Sequence, residues 1–194
     1  MLYEFLRPFV ILGFKILFRI GVHGKEYIPR KGGFILASNH ISYLDPIVLG
    51  VACPRPLNFM AKHDLFGRIF LSRLISKLGA FPVRRNSADL FAIKEAIHRL
   101  GNSGGLVLFP EGSRRVSEIS PGVQPGIAFL ALKAGVPVVP AFIKGSDLAL
   151  PRGSRLIHPK KISVFFGEQI TMERRMPYDD FAKQVMESIR HLSC

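Results

Sequence analysis

The stretch Gly32-Gly33-Phe34-Ile35-Leu36-Ala37-Ser38-Asn39-His40-Ile41-Ser42-Tyr43-Leu44-Asp45-Pro46 contains a complete passage from turn to strand to helix. The glycine pair signals a turn. The apolar run Phe34 to Ser38 that follows is short and uninterrupted, which reads as a buried strand. Asp45-Pro46 then opens a helix through about Ala52, because proline suits the first helical position and aspartate the cap. The same alternation runs on along the chain. Leu57 to Ala61 reads as a strand, Leu65 to Leu78 as a helix, Ala80 to Val83 as a strand and Ser87 to Leu100 as an amphipathic helix. Leu106 to Phe109, Val136 to Ile143 and Ile162 to Phe166 read as further strands, with helices over Gly126 to Ala134 and Tyr178 to Leu192. Pro137 and Pro140 in the Val136 to Ile143 run suit strand ends or a sheet edge. Strands alternating with helices predict an α/β fold: a single domain with a largely parallel sheet flanked by helices.

A chain of 194 residues is long enough to bury one sizeable core, and no linker, repeat or low-complexity tract divides it. Its 27 Lys+Arg against 14 Asp+Glu leave a net charge of +13, which calls for an anionic partner. The basic residues are dispersed, and mean hydropathy is +0.25. That combination favours an anionic lipid surface and argues against nucleic acid. The two cysteines, Cys53 and Cys194, are far apart and form neither a disulfide framework nor a CxxC metal site. A reducing, cytoplasmic setting is the simpler expectation.

Residues 1–20 form a segment of their own, ahead of a domain over 21–194. The longest uncharged run here, Pro8 to Phe14, is far short of the ~20 residues that span a bilayer. On a helical projection Glu4, Arg7, Lys15 and Arg19 fall within an arc of roughly 120°, and the remainder is Leu, Phe, Val and Ile. This is the pattern of an amphipathic helix lying in a membrane interface. The same wide apolar face could instead pack on the domain.

Two segments carry chemistry. Among six histidines only His40 has an aspartate five residues on, Asp45. Histidine accepts a proton near neutral pH, and a carboxylate on its other nitrogen fixes the tautomer and stabilises the imidazolium. A capping or core histidine and a plain helix cap are the structural alternatives. Further on, Phe109-Pro110-Glu111-Gly112-Ser113-Arg114-Arg115 closes an apolar strand with a polar turn. Glycine admits close backbone approach there, and arginine offers the bidentate donors that match phosphate. Gly79-Ala80-Phe81-Pro82-Val83-Arg84-Arg85 likewise runs from a strand to a basic pair. Arginines after two separate strands can converge on one anion, or stand as solvated loop charge.

Taken in chain order, these segments resemble the glycerophospholipid acyltransferase family. Its N-H-x4-D block is matched by Asn39, His40 and Asp45. Its second block is matched by Gly79 through Arg85, and its F-P-E-G-T/S-R block by Phe109 through Arg114. Its V-P-hydrophobic-hydrophobic-P block is matched by Val136-Pro137-Val138-Val139-Pro140. Ser113 stands where threonine is commoner, and Arg115 where a small polar residue is commoner.

The resemblance implies an enzyme of phospholipid biosynthesis on the cytoplasmic face of a membrane, monotopic or peripheral. It implies acyl transfer from an acyl thioester, acyl-CoA or acyl carrier protein, to the free sn-2 hydroxyl of 1-acyl-sn-glycerol 3-phosphate, giving phosphatidic acid. His40 is the implied base and Asp45 its partner. Arg85, Glu111, Gly112, Ser113 and Arg114 are the implied lysophospholipid-binding residues. The expected partners are the anionic membrane surface, the lysophospholipid and the thioester donor; no metal or cofactor is expected. Another lysophospholipid, glycerol 3-phosphate or an acylated amino acid are alternative acceptors. A non-catalytic lipid-binding protein is the alternative of a different class.

Overall fold

The computed structural model describes residues 2–67, 69–84, 89–111, 126–154 and 156–193. Seven strands form one sheet: β1 (Gly21–His23), β2 (Phe34–Ser38), β3 (Leu57–Lys62), β4 (Ala80–Val83), β5 (Gly105–Leu108), β6 (Val138–Lys144) and β7 (Ser163–Phe166). Their spatial order is β1-β7-β6-β2-β5-β3-β4. Strands β2 to β6 are mutually parallel, and only the β6–β7 pairing is antiparallel. The largely parallel sheet is therefore as expected, and β2 lies near its centre. Every residue of β2 is buried, as a strand covered on both faces requires.

Helices cover the two faces. Helices α4 (Leu90–Gly101), α5 (Gly126–Ala134) and α7 (Tyr178–His191) pack over Ile35, Ala37, Leu106 and Val138. Helix α2 (Asp45–Ala52) and the short α6 (Ser146–Ala149) pack over Leu36, Val107, Val139 and Ala141. Alternate residues of β2 thus feed two separate cores, because successive side chains of a strand point to opposite faces. Phe18, just after α1 (Leu2–Leu17), is fully buried in the second core.

Several boundaries differ from expectation. The apolar stretch from Leu65 splits into a 3-10 turn, His63–Gly67, and a shorter α3, Ile69–Lys77. Helix α4 starts at Leu90, capped by Asp89, whose carboxylate accepts from the Ala92 amide at 3.1 Å; Ser87 lies outside the described residues. Helix α1 ends at Leu17, and Arg19 follows with φ 44°, off the helical arc. Strand β1 is only three residues long, too short for any periodicity to announce it.

Strand β6 is internal, contrary to the edge reading of its prolines. Pro137 does lie just ahead of the strand. Pro140 sits inside it, opposite Gly167, whose amide donates to the Pro140 carbonyl at 2.8 Å. The β7 ladder begins one step later, at Ala141 with Phe166. The missing proline N–H thus falls where the ladder has already stopped. Gly167 leaves room for the ring, since a Cβ there would stand 3.0 Å from Pro140 Cγ.

Candidate active site

The parallel strands end along one edge of the sheet, and three neighbours, β5, β2 and β6, bring the site together there. This is the crevice where open α/β sheets place their ligands. Asn39 closes β2 against β6: its amide nitrogen donates to the Ile143 carbonyl at 2.9 Å, and its oxygen accepts from the Ile143 amide at 2.8 Å. The next residue is His40. Its Nδ1 lies 2.9 Å from Asp45 Oδ2, and Asp45 is fully buried.

Asp45 does not cap its helix. The same Oδ2 accepts from the amides of Ile41 at 2.7 Å and Ser42 at 2.8 Å, so the carboxylate turns back into the loop it closes. Its other oxygen accepts from the Ser146 hydroxyl at 2.6 Å. A carboxylate with these partners can only accept from the imidazole. Nδ1 therefore carries the proton, and Nε2 of the neutral ring keeps a lone pair. Phe109, at the end of β5, stacks on the His40 ring with centroids 4.0 Å apart and planes 18° from parallel. The ring is held in plane by Asp45 and from one face by Phe109, with 14% of its side chain exposed.

Glu111 follows two residues after Phe109. Burial pushes its carboxyl above the ordinary 4.5, opposed by a hydrogen bond from the His40 main chain. His40, Asp45 and Glu111 are thus brought together. Arg84 is exposed at the end of β4, with its amide donating to Asp89 at 2.8 Å. Three strand spacings separate β4 from β2, roughly 14 Å. Arg85, Gly112, Ser113 and Arg114 lie outside the described residues.

Sequence reasoning missed the parts played by Ser146, Phe109 and the Asn39 clamp. Phe109 and Asn39 stood within recognised motifs, but their contacts depend on which strands are neighbours. Ser146 had one usable signal, its place just past the carboxyl end of a strand.

A histidine beside a fully buried aspartate, at the carboxyl edge of a mostly parallel sheet, is an arrangement that can move a proton. The chain belongs to the acyltransferase family, which matches residues 19–144. It is 30% identical over 152 residues to the 1-acyl-sn-glycerol-3-phosphate acyltransferase of Bacillus subtilis, covering 78% of this chain and 73% of that one. It is 32% identical over 177 residues to the Streptococcus pneumoniae protein of the same name, covering 88% of this chain and 63% of that one. The crystal structure of the 1-acyl-sn-glycerophosphate acyltransferase PlsC from Thermotoga maritima superposes with a TM-score of 0.76 at 27% identity, covering 98% of this chain and 81% of that one.

Proposed function

We propose that the chain transfers an acyl group from an acyl thioester to the sn-2 hydroxyl of 1-acyl-sn-glycerol 3-phosphate, producing phosphatidic acid at a membrane surface. The observation that carries this reading is the His40–Asp45 pair, 2.9 Å apart, in a chain similar to enzymes named for that reaction. His40 Nε2 takes the hydroxyl proton as the oxygen attacks the thioester carbonyl. Asp45 stabilises the imidazolium that forms. The carbon–sulfur bond breaks, and the imidazolium returns the proton to the departing thiolate. No covalent acyl-enzyme is required. Base catalysis supplies ~10²–10⁴-fold, and holding the two substrates together supplies much of the rest.

Glu111 shapes the wall beside His40. Arg85, Gly112, Ser113 and Arg114 bind the phosphate in this proposal, on the strength of their motifs. Residues 1–20 dock the acyltransferase domain, 21–194, on the cytoplasmic face of an anionic membrane. Leu12 and Ile16 of α1 are 55% and 68% exposed, while Phe14 on the other side of the helix packs against Phe18. Leu148, Leu156 and Ile157 add exposed apolar side chains after β6, near Lys144, Lys160 and Lys161. No described helix is long and apolar enough to cross a membrane.

The test is transfer to 1-oleoyl-glycerol 3-phosphate in liposomes from oleoyl-CoA and, separately, from oleoyl-acyl carrier protein. Wild type should make phosphatidic acid and His40→Ala should lose about 10²–10⁴-fold, with lipid binding retained. The faster donor identifies the physiological thioester class. Absence of product from both donors would overturn the assignment of this acceptor.

A further inference from the structure

Ser146 is the first residue of α6, and its side chain is fully buried. Its hydroxyl donates to Asp45 Oδ1 at 2.6 Å, between residues 101 positions apart. The two oxygens of Asp45 thus have separate partners: Oδ2 meets His40, Ile41 and Ser42, while Oδ1 meets Ser146. With Oδ1 anchored, the carboxylate cannot rotate about its Cβ–Cγ bond without losing a buried hydrogen bond, so Oδ2 stays in line with His40 Nδ1. Ser146 is itself well placed to act as an anchor. The Asn39–Ile143 pair locks β6 to β2 just ahead of it, and Ser42 Oγ donates to the Leu150 carbonyl at 3.1 Å just after it.

We propose that Ser146 is a positioning residue of the acyl-transfer site, holding Asp45 in the orientation that directs His40. This rests on the reading of His40 and Asp45 as the base and its partner. Losing a hydrogen bond to a charged group corresponds to about 10- to 100-fold in rate. Ser146→Ala should therefore lower kcat by that factor and leave KM for the lysophospholipid and the thioester within about two-fold. In an Asp45→Asn background the same substitution should cost little more, because the two residues act as one unit. Ser146→Cys, nearly isosteric and a weaker donor, should fall between wild type and alanine, and it replaces alanine if that variant folds poorly.

A second readout does not depend on turnover. In protein with ¹⁵N-labelled histidine, the His40 Nδ1–H proton should lie far downfield in wild type. In the Ser146 variants it should move or broaden. A protein inactive with both donors that still shows this shift would refute the proposed reaction and leave the positioning role standing. An unchanged kcat, a loss confined to KM, equal losses in the wild-type and Asp45→Asn backgrounds, or an Nδ1–H signal that does not respond would each overturn the role of Ser146.

Discussion

At the level of single residues, the His40 ring is constrained from two directions: by Asp45 in its plane and by Phe109 on its face. The His40–Asp45 part of this was legible in the sequence because both partners lie within one short loop. Ser146 was not, since nothing local marks a serine as facing a carboxylate 101 positions away. Glu111 offers a test at this scale. Its folded pKa is raised above 4.5 by burial, so the folded state binds this proton more tightly than the unfolded chain. Stability is favoured below 4.5 and declines as pH rises through the window from 4.5 to the raised value. Glu111→Gln removes that decline and keeps an oxygen to accept from His40. Urea unfolding at pH 4 and pH 7 should show the glutamine variant gaining on wild type at the higher pH. A difference independent of pH would contradict the burial argument.

At the scale of elements, the turn that launches β2 depends on two glycines for different reasons. Gly32 has φ +75°, with nothing within 4 Å of an added Cβ, so alanine there costs only backbone strain. Gly33 has no such φ, but a Cβ would stand 2.2 Å from the Leu100 carbonyl oxygen at the end of α4. Backbone would have to move, and β2 leads directly into the loop that holds His40 and Asp45. Gly32→Ala should cost about 1 kcal/mol, and Gly33→Ala roughly 2–4 kcal/mol. Thermal unfolding should separate them clearly, since each kcal/mol shifts Tm by about 2–4 °C in a domain of this size. Equal losses would mean that the α4–β2 contact yields easily. The Gly32-Gly33 turn was plain in the sequence, but the nearness of Leu100 was not. Pro140 shows the same limit. Proline reads as a strand end or edge by its chemistry, and only the stopping point of β7 explains how a central strand tolerates it.

For the whole molecule, the net charge of +13 and the exposed outer side of α1 belong to one proposal, docking on an anionic bilayer. Ile16→Glu and Leu12→Glu place a carboxylate on that side without touching the Phe14–Phe18 contact. Flotation with phosphatidylglycerol-containing vesicles should show strong binding of wild type at low salt, partial release at high salt and weak binding of either variant. Binding unaffected by both substitutions would assign the contact to another surface, with the apolar and basic segment after β6 the next to test.

The sequence alone was enough to determine the α/β class, most of the strands and helices, and the closeness of His40 and Asp45 along one short loop. Those features rest on periodicity, turn chemistry and contacts within a few residues. The order of strands, the antiparallel place of β7, the internal position of β6 and the linkage of Asp45 to Ser146 were decided only in three dimensions. They depend on which distant segments become neighbours, and that follows from the packing of the whole core and not from any local pattern.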